Sequence, residues 1–404
     1  MNILYINHYA GGPEYGMAFR PHYLASEWRL MGHKVTVVGA SFSHLRTRQP
    51  NVGEEIVDGV RYVWLKTPEY VGNGLGRVKN ILSFLCGLYF DIDSIVGEHV
   101  PDVVITSSTY PLDNCPGYRI AKKYKAKLIF EAHDLWPLSP MELGNMSKYH
   151  PFIMAMQFGE DYAYRHADKV VSILPCTKPH MCSHGLLPEK FVHIPNGINV
   201  SEWQRSEALP REHSDMFAKL RDAGKFIIGY TGGITAFDAL EYLLSATKMI
   251  DDSNLSIVIV GKGAGKPALE NYVSVNHLDN VIFLPPVDKR CVPAVLSQMD
   301  GVFIGWHKHS LYRFGISPNK IYDYMMAGKP IIHSVEAAND LVAEANCGIS
   351  VPAEDPVSIA DAIRKLISIS VSERDRLGKN GKDFVIKNHD YKILAKKFID
   401  AIMG

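Results

Sequence analysis

The chain has 404 residues, 47% of them hydrophobic, which is enough for two sizeable cores. Lysine plus arginine and aspartate plus glutamate both number 43, so the formal net charge is zero and a general nucleic-acid binder is disfavoured. The six cysteines, Cys86, Cys115, Cys176, Cys182, Cys291 and Cys347, are scattered without a pairing pattern, which suits a reducing cytosol.

The opening MNILYINHYAGG has no basic n-region followed by an apolar h-region, and reads as a buried first strand over 3–7, not a signal peptide. A helix over about 18–31 is closed by Gly32, and His33 leads into a strand over 34–39. Further strands are predicted at 62–65, 103–106, 127–131, 170–173 and 192–194. The most membrane-like segment, 81–96, is interrupted by Asp91 and Asp93 and is too short to span. After the turn Pro195-Asn196-Gly197-Ile198-Asn199 and a polar stretch to Gly224, a second strand series begins at 226–230. It continues at 256–260, 281–283, 302–305, 330–333 and 348–351. Short β-branched runs alternating with helical patterns predict an α/β chain of parallel sheets covered by helices. Two Rossmann-like domains are expected, 1–198 and 199–388, with a hinge near 196–205. An amphipathic helix over 391–403, within the segment 389–404, is expected to pack back across that hinge.

Ligands of open parallel sheets bind beyond the carboxyl ends of the strands. The first such end carries Tyr9-Ala-Gly-Gly-Pro-Glu-Tyr-Gly16, in which Gly11 and Gly12 either let a ligand approach the backbone or form a flexible turn. It is not GxGxxG and has no acidic partner in place, which argues against NAD. The second is Glu131-Ala-His-Asp-Leu-Trp-Pro137. There His133 can bond a sugar hydroxyl or a developing charge, with Glu131 or Asp134 setting its tautomer. The plainer reading has Asp134 capping the next helix and His133 half-buried and satisfied. The third, Tyr230-Thr-Gly-Gly-Ile-Thr-Ala236, offers the backbone of Gly232 and Gly233 to a phosphate. The fourth, 260–266, lacks the ending of a P-loop; its Lys262 either contacts base or phosphate or is simply solvated.

The most informative stretch is Ser317-Pro-Asn-Lys-Ile-Tyr-Asp-Tyr-Met-Met-Ala-Gly-Lys-Pro-Ile-Ile332. Ser317 is expected to cap a helix, with Pro318 at its first position, so that the free N–H groups and Lys320 favour a phosphate. Asn319, Lys320 and Asp323 share one face, and a carboxylate one turn past a bound diphosphate lies where ribose hydroxyls would be. Gly328 ends the helix before a buried strand. Cys176, His180, Cys182 and His184 match no common structural zinc spacing, so no metal is expected. GxSxG, HExxH and kinase signatures are absent.

Together these segments, with Phe19-Arg-Pro-His-Tyr-Leu-Ala25, Gly32-His-Lys-Val-Thr-Val37 and Ile194-Pro-Asn-Gly-Ile198, resemble a family-4 glycosyltransferase of the GT-B fold. The resemblance covers nearly the whole chain and is nearest to bacterial enzymes that build O-antigen, capsule, lipopolysaccharide and related polysaccharides. It implies two Rossmann-like domains facing a central cleft, with a sugar nucleotide, UDP-linked by preference, on the second and the acceptor on the first. By the same resemblance Asp323 binds the ribose hydroxyls, and Ser317, Pro318, Asn319 and Lys320 form the diphosphate loop. His133 stands near the donor sugar, and Arg20, Gly11, Gly12 and Glu131 belong to the acceptor or cleft side. Such hexosyltransferases look retaining and need no cofactor or bound metal, Lys320 and the helix start stabilising the leaving diphosphate.

Two departures stand out. Many relatives carry two glutamates eight positions apart, whereas this chain has Gly315 and Asp323; many also place Arg and Lys after the glycine turn, whereas Ile234, Thr235, Ala236 and Phe237 follow here. The missing cation then falls to Lys320, Lys262 or Arg313. An inverting enzyme would instead use Asp134 or Glu131 as a base. The resemblance further implies a cytoplasmic enzyme acting on polyprenyl-diphosphate-linked saccharides at the inner membrane. Arg77, Lys79, Lys122, Lys123, Lys125 and Lys127 either meet anionic lipid there or form a solvated basic surface. The competing readings are a nucleotide-sugar epimerase and a non-catalytic nucleotide-sugar-binding partner.

Overall fold

The structure, a computed structural model, describes residues 1–16, 19–72 and 74–404. By internal contacts the chain divides into two compact units, Met1–Asn196 with Tyr391–Gly404, and Gly197–Asp390. The first unit is built on an eight-stranded sheet: β1 (Asn2–Ile6), β2 (Lys34–Ala40), β3 (Gly53–Val57), β4 (Val60–Leu65), β5 (Val103–Thr106), β6 (Lys127–Ala132), β7 (Lys169–Ser172) and β8 (Phe191–His193). Its order is β3-β4-β2-β1-β5-β6-β7-β8, and all neighbours are parallel except β3 and β4. The central strands are apolar on both faces because helices cover both sides, which is why they read as continuous hydrophobic runs.

Sequence patterning missed β3. Its alternation is that of a half-exposed edge, and its pairing depends on the Asp58-Gly59 turn, where both residues take positive φ, 50° and 79°. An Asp-Gly pair between strands is the signal that could have found it.

In the first unit lie α1 (Phe19–Leu30), α2 (Pro151–His166) and α3 (Lys178–Ser183); α4 (Asn319–Met326) belongs to the second, and α5 (Tyr391–Met403) returns to the first. The expected start of α1 at Ala18 falls outside the described residues. Helix α5 completes the first core: Trp28 donates from its indole to the Ala395 carbonyl at 3.0 Å and packs edge-on to Phe398, while Tyr23 meets Tyr391.

The second unit holds β9 (Phe226–Gly233), β10 (Leu255–Lys262), β11 (Val281–Leu284), β12 (Gly301–Gly305), β13 (Ile331–Ser334) and β14 (Gly348–Val351), in the order β11-β10-β9-β12-β13-β14. This is the doubly wound order, with its switch point between β9 and β12. Those two strands pair only through Gly301–Ile228 and Val302–Gly229, then diverge toward their carboxyl ends. Among the described residues, no helix is long and apolar enough to cross a membrane.

Candidate active site

In the second unit, chemistry gathers where β9 ends. Tyr230 lies on β9, and its hydroxyl donates to the Gly233 carbonyl at 2.5 Å. Lys320, in the first turn of α4, bonds the Tyr230 hydroxyl, lies over its ring 3.8 Å from the centroid, and reaches Asp238 Oδ1 at 3.1 Å. Asp238 is held by the Thr235 backbone N–H and hydroxyl at 2.9 and 2.7 Å, the reciprocal half of a capping box on Thr235. Burial pulls the Lys320 ammonium below its ordinary pKa, with Asp238 opposing. Burial alone would raise Asp238, but Lys320 and Thr235 hold it below the usual carboxylate range. The pair is therefore a compact, nearly dry charge couple with its cation at a helix start.

Helix α4 is fastened to β9 from behind. The Thr231 N–H donates to the Tyr324 hydroxyl at 2.9 Å, so the helix start and the glycine turn are positioned together. Gly232 has φ +135°, and a Cβ there would sit 3.0 Å from Lys320 Cε; at Gly233 a Cβ meets nothing within 4 Å. Gly232→Ala is therefore expected to cost about 1–3 kcal/mol in chemical denaturation, and Gly233→Ala to stay within about 0.5 kcal/mol. Equal costs at the two positions would contradict this account of the turn.

Two expectations about the helix start are corrected. Helix α4 begins at Asn319 with Pro318 as the cap residue, and no side chain caps it. Pro318 is thus outside the first helical position, and Ser317 turns inward, its hydroxyl 2.8 Å from that of Tyr322. Asp323 stands one turn past Lys320 on the same helix, and both of its oxygens accept from Lys289 Nζ, at 2.5 and 2.6 Å. Gly315 has φ +86°, a conformation side chains resist, which accounts for glycine where an acid was expected. The following Ile316 is pinned at both backbone groups by Asn339, at 2.7 and 3.0 Å. Of the candidate cations, Lys320 lies against the glycine turn, Lys262 is exposed, and Arg313 bonds the Ser310 carbonyl and stacks on Phe314.

In the first unit a second cluster centres on Glu131, which is fully buried at the end of β6. Its carboxylate accepts from Tyr5 Oη at 2.5 Å, Ser107 Oγ at 2.6 Å and Arg20 Nε at 3.0 Å, and lies 3.3 Å from His133 Nε2. Burial alone would raise its pKa, but the Arg20 charge, then His133 and Ser107, hold it well below the usual range. Ser107 Oγ also sits 2.7 Å from His133 Nε2. Because Ser107 spends its proton on Glu131, a neutral His133 carries its own proton on Nε2 and presents Nδ1 as an acceptor.

The remaining predicted residues separate by role. Arg20 is buried, and its other donors go to the carbonyls of Ile194 (3.0 Å) and Pro195 (2.5 Å), so as placed it supports Glu131 and the 194–196 turn. Asp134 accepts from Leu135 N–H and Ser139 Oγ, at 2.9 and 2.7 Å, and burial raises its pKa. Glu131, not Asp134, bonds His133. The Gly11 carbonyl accepts from Tyr62 at 3.3 Å, and Gly12 lies against His22, so this loop is packed rather than loose. The basic side chains expected to meet lipid are partly engaged: Lys123 pairs with Asp93 at 2.5 Å, Lys127 bonds the Ile402 carbonyl at 2.7 Å, and Arg77 bonds Tyr9 at 3.0 Å. Sequence reasoning missed Asp238, Tyr230 and Lys289. Only Asp238 carried a local signal, in Thr235-x-x-Asp238.

Comparison with known proteins gives the family and the fold. Residues 15–197 match the model described as a glycosyl transferase 4-like domain, and residues 225–369 the model for glycosyl transferases group 1. A protein of Escherichia coli K12, named as the colanic acid biosynthesis glycosyl transferase WcaI, is 23% identical over 398 residues, 94% of each chain. The fold is that of the Anabaena protein HepE solved with UDP and glucose (TM-score 0.69, 14% identity, all of both chains). It is also that of a Thermosynechococcus elongatus sucrose-phosphate synthase (TM-score 0.74, 17% identity, 99% and 98% of the two chains). The chain belongs to the family-4 glycosyltransferases, with their GT-B fold of two Rossmann-like units.

Proposed function

We propose that the chain moves a hexose from a nucleotide diphosphate sugar, UDP-linked, to a saccharide or polyprenyl-diphosphate-linked saccharide in cell-surface polysaccharide biosynthesis. The reaction proceeds with retention, without a bound metal, at the cytoplasmic face of the inner membrane. The observation that carries the reading is the Lys320 ammonium, seated at a helix start against Gly232 and balanced by Asp238. UDP in HepE and the polysaccharide role in the name of WcaI support the donor and the pathway class.

In this reading the donor diphosphate lies along Gly232, Gly233 and the N–H groups of Asn319 and Lys320. Lys320 meets the charge that grows on the leaving diphosphate, where a preorganised cation is most effective. Asp323, whose carboxylate has lone pairs beyond those taken by Lys289, accepts from the ribose hydroxyls. His133 accepts a sugar hydroxyl through Nδ1. Retention is supported by the state of Glu131, the better placed of the two candidate bases: it is buried among four partners and closed to an acceptor hydroxyl, while Asp134 has one oxygen taken by Leu135 and Ser139. The donor phosphate oxygen takes the proton instead.

A thermal-shift and calorimetric panel of UDP- and GDP-sugars tests the assignment, since a true donor stabilises the folded chain by mass action. One UDP-sugar is expected to raise Tm above all others, and Asp323→Ala to weaken UDP binding about tenfold by losing charge-assisted contacts. Parental UDP affinity in Asp323→Ala, or conversion of the donor without acceptor, would count against the proposal.

A further inference from the structure

Away from both clusters, α2 and α3 bring together a carboxylate and two histidines. His180 and His184 stand four residues apart, on one face of the α3 turn, the spacing at which two imidazoles reach a single cation. Glu160 projects from α2, with its Oε1 3.6 Å from His180 Nε2. One ligand atom from each of the three lies within 4.8 Å of the other two. Tetrahedral zinc, with bonds of about 2.0–2.1 Å, separates its ligand atoms by roughly 3.4 Å, so a small inward rotation closes the set.

Three further observations point the same way. Glu160 is buried, accepting from Tyr164 Oη and Gln157 Nε2 at 2.9 Å each, and among the described residues its ion-pair partner is an imidazole. A buried carboxylate is satisfied by hydrogen bonds together with a positive charge, and a divalent cation beside Glu160 supplies that charge. Asp161 Oδ1 lies 3.3 Å from His184 Nδ1, the carboxylate contact that ordinarily orients a ligating histidine. The cluster also borders a cavity of about 730 Å³, which leaves room for a fourth ligand from water or from a molecule in the cavity.

We propose that Glu160, His180 and His184 bind one divalent cation of the zinc class, oriented by Asp161, which joins α2 to α3. The expectation of no metal rested on the spacing of Cys176, His180, Cys182 and His184. The geometry instead leaves out both thiols and recruits a carboxylate twenty residues upstream. The site shares no residue with the two clusters described above and stands whether or not that assignment holds.

Metal-stripped full-length chain titrated with zinc chloride by calorimetry, and with cobalt chloride followed in the visible, tests it. One equivalent is expected to bind, with the intense d–d bands of tetrahedral cobalt and a rise in Tm. Binding should be lost in His180→Ala and in Glu160→Gln, weakened about 10–100-fold in Asp161→Asn, and kept in the exposed His277→Ala control. Should the buried Glu160→Gln fail to fold, the half-exposed His184→Ala carries the same expectation of lost binding. Failure of the parent to take up one equivalent, or unchanged uptake in His184→Ala, would overturn the proposal.

Discussion

Lys320→Ala is expected to lower kcat/KM by about 10²–10³-fold, the usual effect of removing one preorganised donor from a developing negative charge. Most of the loss should fall on kcat, because the charge on the leaving diphosphate is larger in the transition state than in the bound donor. Affinity for UDP should fall as well, since one charge-assisted contact disappears. The substitution also leaves Asp238 without its cation in a setting only 11% exposed, so Tm should drop. Asp238→Asn separates the two effects, for it removes the partner and keeps the ammonium. Its stability should fall while its kcat stays nearer the parent's. Arginine is not a conservative replacement here, because a planar fork does not reproduce the compact ammonium that meets Tyr230 and Asp238 at once. Parental kcat/KM and UDP affinity in Lys320→Ala would remove the basis for placing the diphosphate on this helix.

Glu131→Ala should have the largest effect on stability, about 3–5 kcal/mol by denaturant titration, because it strands the buried Arg20 charge. It also removes the acceptor of Tyr5 and Ser107 and frees His133 to change tautomer. Glu131→Gln keeps the shape and some acceptors but not the charge, and should lie between the two. Stability should depend on pH with a definite sign. The folded carboxyl titrates well below its ordinary value near 4.5, so the unfolded chain binds more protons as the solution turns acidic. The contribution is fully present above about pH 4.5 and is lost progressively as pH falls below it. Equal acid sensitivity in parent and Glu131→Gln would show that some other group carries this dependence.

Much of this architecture is legible in the sequence. Strands buried on both faces announce themselves as apolar runs, and the amphipathic C-terminal helix is seen over Tyr391–Met403. Edge strand β3 was not readable, since half its residues face water and its identity lies in the Asp58-Gly59 turn. At the site, the glycine turn and Lys320 were legible as residue types, but where Lys320 points is decided by Asp238, eighty-two positions earlier. Ser317 looked like a cap because serine before a helix usually is one. The nearby Tyr322 hydroxyl offered it a buried partner instead. The Lys289–Asp323 pair is likewise invisible to any local pattern.

The return of α5 to the first unit means that 197–390 is an insertion within another unit. Its two ends lie side by side, Ile198 N–H donating to the His389 carbonyl at 2.9 Å. On the ribosome, the first unit must then wait for the whole insertion before Ala395 and Phe398 arrive to cover Trp28. At 5–20 residues per second that is a delay of about 10–40 s. During it, the Trp28 face is an exposed apolar surface, a natural recognition site for a chaperone. A transplanted or circularly permuted second unit, by contrast, should close on itself with a short linker between residues 197 and 390, since its termini are already neighbours.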